Sequence, residues 1–407
     1  MKKFSLSFKL AVISQIISLL GGSVLQFGIL LFILRLTQSG ETYGLAVAIG
    51  GIPLILFAIP GGIIADRKNK KKCIVSLDFA KTVISIGLLI IFLNDAYSIF
   101  FLIAFNTLFM SLVTLFNPIL TASVPMIVDE DALVEANGII QSINAVSHLL
   151  GVVLGGVLFA TIGLTAIILL CGVSFLISTI IDLFIKIPFE QQKTKTSVMQ
   201  ELKASFHYMT KENPEILKIT STFAVLALLY IPIFMVVLPY IADVHFDVGD
   251  TLFGIAQGYA VFGMLIGGLI SGKIKKWLKV SYFSKWILLM SALSLILALA
   301  VYSPLFAGSI LVPFWLFNTG VLLIMIVVTF GNVLVMASVQ EKAPAHLLGK
   351  VVSLVILSAN FAIPFGQYTF GWLLEALTGN LHMLFIIIAV LTAGIAFASR
   401  GMFRKME

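Results

Sequence analysis

Besides Asp182, near the inner end of the stretch 164–185, four ionisable residues in or beside long apolar stretches of this sequence stand out, because a charge there needs a chemical reason. Asp78 and Lys81 are separated by three positions, which places them on one helical face where they could also simply neutralise each other. His148 lies in a second stretch and Glu375 at the end of a third. Ionisable side chains inside a membrane often mark ion or proton pathways, and histidine titrates near neutral pH. We therefore predict that these four residues are the candidates for carrying a coupling ion.

Amide side chains recur at helical spacing in the same stretches. Gln141, Asn144 and His148 follow the spacing i, i+3, i+7 and so share one helical face. Such a face could line a path for a solute, although each amide could also simply join two helices. The other residues that we expect to line a substrate cavity are Gln26, Asn106, Tyr230, Phe234, Asn318 and Asn360.

The elements that position these residues must lie in lipid. Of the 407 residues, 60% are hydrophobic and 11% are charged, whereas about 25% are charged in a typical soluble domain. The sequence contains apolar runs of roughly 17 to 25 residues, the length of a membrane-spanning helix. A transmembrane β-barrel would instead alternate polar and apolar residues, and the sequence shows no such alternation. The expected spans are 10–34, 43–65, 73–93, 97–121, 138–160, 164–185, 216–239, 252–272, 283–302, 309–336, 349–374 and 382–399.

Basic residues fall almost entirely on alternate connections between these spans, and the net charge is +7. Because lysine and arginine in short loops stay on the cytoplasmic side, both termini are expected to be cytoplasmic. The apolar run that follows Lys9 is too long for a signal peptide, so we expect a retained first span. Cys73 and Cys171 suggest no disulfide framework.

Two pairs of similar segments indicate an internal duplication of the sequence. "GGIIAD" at 61–66 resembles "GGLISG" at 267–272, and "NPILTASV" at 117–124 resembles "NVLVMASV" at 332–339. In each pair, the two similar segments are separated by about half the length of the chain. This separation predicts two six-helix bundles repeated in parallel. The expected divisions are an N-terminal bundle at 1–185, a cytoplasmic linker with an amphipathic helix at 186–215 and a C-terminal bundle at 216–407.

The connection after the second span resembles a signature of the major facilitator superfamily. The family pattern is roughly G-x-x-x-D-R-x-G-x-R/K-R/K, and Asn69 stands where the family has glycine. We expect asparagine to preserve the turn because it tolerates a left-handed backbone. The resemblance implies the all-α major facilitator fold and a latch that biases the conformational equilibrium. The residues that match are Gly62, Asp66, Arg67, Lys71 and Lys72.

A second resemblance lies in the fifth span. The drug–proton antiporter branch carries G-x-x-x-G-P-x-x-G-G there, and "SHLLGVVLGG" matches it at Gly151, Gly155 and Gly156. Ser147 and Val152 depart from the pattern, and close helix packing would explain the glycines equally well. Over its whole length the chain resembles the macrolide-efflux group, through the segments "NPILTASVPMIVDEDALVEANG" and "LLGKVVSLVILSANFAIPFG".

These resemblances imply a proton-coupled exporter of hydrophobic or amphipathic small molecules, such as macrolide antibiotics, in the bacterial cytoplasmic membrane. The alternatives are a lipid, siderophore or peptide exporter of the same fold, and a membrane receptor or enzyme. "GGLISGKI" at 267–274 lacks the Ser or Thr and the strand-to-helix context of a phosphate-binding loop. We expect a monomer with no catalytic residues, cofactor, metal site or nucleic-acid partner.

Overall fold

The computed structural model describes residues 4–57, 60–61, 64, 68–188, 206–274, 279–306 and 309–404, and all regular structure in these ranges is helical. The helices of the first half of the chain are α1 (Leu6–Thr37), α2 (Gly40–Leu56), α3 (Lys70–Leu93), α4 (Ile99–Ser123) and a long element, Leu133–Phe184. The second half contains α7 (Pro214–His245), α8 (Gly249–Ser271), α9 (Phe283–Ala300), α10 (Leu311–Lys342), α11 (Ala345–Ala376) and α12 (Leu381–Arg404).

The long element Leu133–Phe184 is two helices that meet at Gly163. This residue has φ 72° and ψ 170°, a conformation that glycine adopts readily and that ends the helical hydrogen-bond pattern. We therefore number 133–162 as α5 and 164–184 as α6. In the described part of the chain, ten helices are long and apolar enough to cross a membrane, and α2 is a shorter apolar helix. Because the long element divides into two helices at Gly163, these helices confirm the predicted all-helical membrane fold.

The prolines of the seventh span, Pro232 and Pro239, do not break the helix. The segment Pro214–His245 stays helical, with two π-helical turns at Ile233–Val237 and Ile241–His245. Proline lacks the N–H of a normal i→i−4 bond, and wider turns accommodate the missing donor without ending the helix.

The expected left-handed turn at Asn69 is also wrong. Asn69 has φ −66° and ψ 107°, an extended conformation, and its side-chain oxygen accepts a hydrogen bond from the backbone N–H of Lys72 at 3.0 Å. The residue is therefore the N-cap of α3, a position that asparagine favours. Of the other matching residues in this connection, Gly62, Asp66 and Arg67 lie outside the described residues, as does most of the predicted amphipathic linker, 189–205.

The chain separates into two compact units. The first comprises Met1–Leu36 and Ile49–Lys195, and the second comprises Thr37–Ala48 and Thr196–Glu407. The division of the chain into bundles at 185 and 216 remains a prediction, and the structure adds that Thr37–Ala48 groups with the second unit.

Equivalent helices pack through equivalent glycines in the two units. A Cβ on Gly61 would lie 3.1 Å from Cγ of Pro118 in α4, and a Cβ on Gly267 of α8 would lie 2.8 Å from Cβ of Thr329 in α10. The second glycine of the later pair, Gly268, would meet nothing within 4 Å. In the "GG" pair of α8, close approach therefore depends on the first glycine, Gly267.

This contrast supplies a matched pair of variants. Gly267→Ala should lower the thermal stability of the detergent-purified protein, because forcing atoms into a packed interface costs about 1–3 kcal/mol. Gly268→Ala should leave stability unchanged or raise it slightly, since alanine is the better helix former. The two melting temperatures, measured side by side, check the prediction, and equal shifts would contradict it.

Candidate functional site

A buried ion pair lies inside the first unit. The Nζ atom of Lys81 is 2.7 Å from Oδ1 of Asp78, and the side chains are 2% and 0% exposed. Ser18 of α1 donates a hydrogen bond to Asp78 Oδ1 and accepts one from Lys81 Nζ, both at 3.1 Å. The same Nζ lies 4.2 Å from the ring centroid of Phe116 in α4, within the range of a cation–π contact. The spacing in the sequence correctly indicated that Asp78 and Lys81 face each other.

A second carboxyl group extends this cluster into α6. Asp182 is 1% exposed, and its Oδ1 accepts a hydrogen bond from the hydroxyl of Ser14 at 2.5 Å. The Ser14 and Ser178 hydroxyls are 2.7 Å apart, and Ser178 donates a hydrogen bond to Asp78 Oδ2. Within the described residues, Asp182 Oδ2 is buried without a hydrogen-bond partner. We call Ser14, Ser18, Asp78, Lys81, Ser178 and Asp182 the polar cluster.

Sequence reasoning chose Asp78 and Lys81 as candidates, noted Asp182 near the inner end of the sixth span without choosing it, and missed the three serines. Each contributing helix carries its polar pair at helical spacing, with Ser14 and Ser18 on α1 and Ser178 and Asp182 on α6. That spacing was the available signal. It shows that each pair shares a face but does not show which helices meet.

The corresponding junction of the second unit is neutral. Tyr230 of α7 is fully buried, and its hydroxyl lies 3.0 Å from the hydroxyls of both Ser294 in α9 and Thr392 in α12. Ser291 of α9 donates a hydrogen bond to the carbonyl of Ala389 in α12 at 2.7 Å. The first, third and sixth helices of each half are thus joined by polar side chains, and among the described residues the junction of the first half contains charges whereas the contacts of the second are neutral. These contacts favour a packing role for Tyr230 over the predicted cavity role.

The face predicted on α5 is divided between two environments. Asn144 accepts a hydrogen bond from the buried amide of Gln15 in α1 at 3.0 Å, whereas Gln141 and His148 are exposed. Gly151 and Gly155 lie against α1, because a Cβ on Gly151 would be 2.2 Å from that of Ser23, and Gly156 is buried. The glycine motif therefore packs α5 on α1, as the alternative explanation expected.

A cleft of about 600 Å³ lies beside this contact, between α1 and α5. Its lining is largely aliphatic, with Ile16 and Leu20 from α1 and Ile139 and Ile143 from α5, and Glu135 contributes a carboxylate. The volume falls in the range of drug-sized binding sites, about 300–1,000 Å³. The sequence prediction missed this cleft, which uses residues that neighbour the predicted polar face.

The remaining cavity candidates occupy varied positions. Asn106 is buried without a hydrogen-bond partner for either amide atom within the described residues, and it lies against Gly50. Asn318 donates to the carbonyl of Phe314 in its own helix at 2.8 Å. Phe234 is buried in a π-helical turn, while Gln26 and Asn360 are half-buried.

Glu375 is exposed at the end of α11, where it caps another helix. Its Oε2 accepts hydrogen bonds from the Ser39 hydroxyl at 3.0 Å and from the backbone N–H of Gly40 at 3.2 Å. A carboxylate is favourable at the N-terminus of a helix such as α2. This contact gives Glu375 a structural explanation besides the predicted coupling role.

The two described lysines of the latch motif lie at the start of α3. Lys71 donates a hydrogen bond from Nζ to the carbonyl of Leu183 at 2.8 Å, while Lys72 is exposed. The Leu183 carbonyl belongs to the last turn of α6, whose carbonyl groups lack partners within the helix. Lys71 therefore joins α3 to the end of α6, one residue beyond Asp182. In the described residues, no group of three or more metal-ligating side chains is brought together.

Comparisons with known proteins agree with this architecture. Macrolide efflux protein A of Streptococcus pyogenes is 25% identical over 86% of this chain and 85% of its own length. The protein of the same name from Enterococcus faecalis is 26% identical over 78% of this chain and 96% of its own. A bacterial homologue of the iron transporter ferroportin, solved in an inward-facing state, superposes with a TM-score of 0.71 at 18% identity, covering 97% of this chain and 99% of that one. The family model of the Major Facilitator Superfamily matches residues 11–367, and the chain therefore belongs to this superfamily of membrane transporters.

Proposed function

We propose that this protein is a secondary-active exporter that moves hydrophobic or amphipathic small molecules across the bacterial cytoplasmic membrane by alternating access, driven by proton entry. The observation that carries the proposal is the similarity to two macrolide efflux proteins over most of both lengths. The buried carboxyl groups of Asp78 and Asp182 support proton coupling, because ionisable groups inside a membrane are costly and usually functional.

The cleft between α1 and α5 supports a substrate class. Its aliphatic walls suit a greasy solute, and Glu135 is the acidic side chain among the residues that line it. A carboxylate beside an apolar surface favours a molecule that carries a positive charge. We therefore propose basic amphipathic compounds as the preferred substrates, with macrolide antibiotics as one example.

The topology follows the positions of the basic residues. Both termini are cytoplasmic in this proposal, and the connection that contains Asp66, Arg67, Lys71 and Lys72 lies at the inner surface. There it biases the equilibrium between the two conformations and does not contact the substrate. The protein acts as a monomer, and its partners are the substrate, protons and lipid.

The test is a susceptibility panel in a pump-deficient host, followed by uptake into inside-out vesicles with and without a collapsed proton gradient. Glu135→Gln should raise the KM for basic amphipathic compounds and leave the KM for neutral ones unchanged, since it removes the charge and keeps the shape. Glu212→Gln, at an exposed carboxylate, is the matched control. Equal loss for neutral and basic compounds would contradict the role of Glu135.

The same vesicles separate the alternative exporters. Labelled lipid, siderophore and peptide are each offered in place of the drug panel. Uptake of one of them with no uptake of any drug would replace the drug assignment by that substrate class.

A further inference from the structure

The three shortest oxygen contacts in the polar cluster form a chain between two carboxyl groups. Asp182 contacts Ser14, Ser14 contacts Ser178, and Ser178 contacts Asp78. Each contact needs one hydrogen, because two oxygen atoms at this separation repel unless a proton lies between them. The two serine hydroxyls supply two hydrogens. The third contact has a hydrogen only when one of the carboxyl groups is protonated.

The charges of the cluster lead independently to the same number of bound protons, which is one. Two ionised carboxylates and one ammonium group would leave one uncompensated negative charge in the cluster. Among the described residues, the contacts of the cluster bring in no further charged side chain: α1 contributes Ser14 and Ser18, α4 contributes Phe116, and α3 and α6 contribute Asp78, Lys81, Ser178 and Asp182. The other lysines on or next to these helices lie towards the same end of the bundle: Lys9 on α1, Lys70, Lys71 and Lys72 at the start of α3, and Lys186 just after α6. Lys71 donates its hydrogen bond to the Leu183 carbonyl, and in the described structure none of these lysines is hydrogen-bonded to Asp78 or Asp182. Because an unpaired buried charge is costly, one bound proton makes the cluster neutral.

The position of that proton follows from the hydrogen bonds. Asp78 accepts from Lys81, Ser18 and Ser178, so its two oxygens are stabilised as a carboxylate. Asp182 makes a single hydrogen bond through Oδ1, which accepts from Ser14 when Asp182 is ionised and donates to Ser14 when Asp182 is protonated, and its Oδ2 is buried without a partner in the described structure. The two carboxyl groups are joined through only two hydroxyl groups, and their mutual repulsion disfavours ionising both. The proton therefore belongs on Asp182.

The second unit shows that packing alone does not require these charges. Its equivalent junction is closed by the neutral hydroxyls of Tyr230, Ser294 and Thr392. The first unit keeps three ionisable groups at the matching place, although a neutral junction is evidently sufficient to join the helices. The difference points to a function in binding a proton.

We propose that Asp182 is the proton-binding residue of this transporter and exchanges its proton with Asp78 through Ser14 and Ser178. In one form, Asp182 donates to Ser14, Ser14 donates to Ser178, and Ser178 donates to Asp78. Reversing all three hydrogen bonds breaks the O–H bond at Asp182 and forms one at Asp78, with both hydroxyls restored and the total charge unchanged. The link to transport rests on the proton coupling proposed above, whereas the site itself does not.

The first experiment detects the bound proton without transport. Infrared spectra of the detergent-purified full chain should show the carbonyl band of a buried protonated carboxylic acid at neutral pH. We expect the band in the wild type and in Glu212→Gln, and its loss in Asp182→Asn. An unchanged band in Asp182→Asn would overturn the proposal. Loss of the wild-type band on adding sodium at constant pH would assign the site to a metal cation and would also overturn it.

Asparagine imitates the neutral acid, so Asp182→Asn should purify like the wild type. Ser14→Ala provides a second readout that leaves both carboxyl groups in place. Removing the hydroxyl changes the hydrogen bond of the Asp182 acid, and we expect the band to persist at a shifted frequency. A band that does not shift would contradict the chain of contacts.

The second experiment connects the site to transport. In inside-out vesicles, Asp182→Asn should abolish substrate accumulation driven by a proton gradient while substrate still equilibrates down its own gradient. Asp182→Glu should restore part of the accumulation. If vesicles with the wild-type protein transport none of the tested substrates, the proposed function is wrong, and the infrared result still shows whether Asp182 binds a proton. If accumulation persists in Asp182→Asn, the site is not the coupling site although the protein is an exporter.

Discussion

Lys81→Met is expected to lower the free energy of unfolding by about 3–5 kcal/mol, because it leaves a buried carboxylate without its partner. Lys81 is fully buried and contributes the only positive charge found in the polar cluster. Methionine fills a similar volume, so the loss would come from charge and not from a cavity. The melting temperature and the monodisperse yield of the detergent-purified protein are the measurements.

Two further variants make this result specific. Lys218→Met removes an exposed lysine from α7 and should leave the melting temperature unchanged. The double variant Asp78→Asn with Lys81→Met removes both charges and should recover most of the stability, because replacing both partners of a buried pair is often neutral. A double variant as unstable as Lys81→Met alone would show that packing, and not charge pairing, explains the loss.

The sequence predicts helices well here because the length of an apolar run determines whether a helix can span lipid. The break between the fifth and sixth spans was expected near 161–163, and Gly163 provides it with a positive φ. The direct contact of Asp78 with Lys81 was also predictable, because a spacing of three residues fixes it within one helix.

Sequence reasoning did not predict features that depend on the contacts and positions of neighbouring residues in the fold. Nothing within α6 reveals that Asp182 meets Ser14 of α1, since that pairing depends on which helix faces are adjacent. Asn69 was assigned a left-handed turn from its residue type, whereas its position before Lys70 makes it a helix cap. The grouping of Thr37–Ala48 with the second unit has no signal in composition or periodicity, because it depends on close backbone packing.

That packing rests on three glycines, Gly40 and Gly44 of α2 and Gly371 of α11. A Cβ on Gly371 would lie 2.5 Å from the carbonyl oxygen of Gly40 and 2.8 Å from Cα of Gly44, and a Cβ on Gly44 would lie 2.7 Å from the carbonyl oxygen of Gln367. The obstructing atoms are backbone, which cannot move aside as a flexible side chain does. Small residues four apart allow this kind of approach between helices in lipid.

Gly371→Ala should therefore separate α2 from α11 and cost at least about 1–3 kcal/mol, the usual range for overpacking. The separation should also break the Ser39–Glu375 hydrogen bond, which caps α2 from α11. Crosslinking of cysteines placed at Ser39 and Glu375, in a background without Cys73 and Cys171, measures that distance, and the melting temperature measures the cost. Gly394→Ala on α12 is the matched control, because a Cβ there meets nothing within 4 Å. Undiminished crosslinking in Gly371→Ala, with a melting temperature equal to that of the control, would show that α2 and α11 do not depend on this approach.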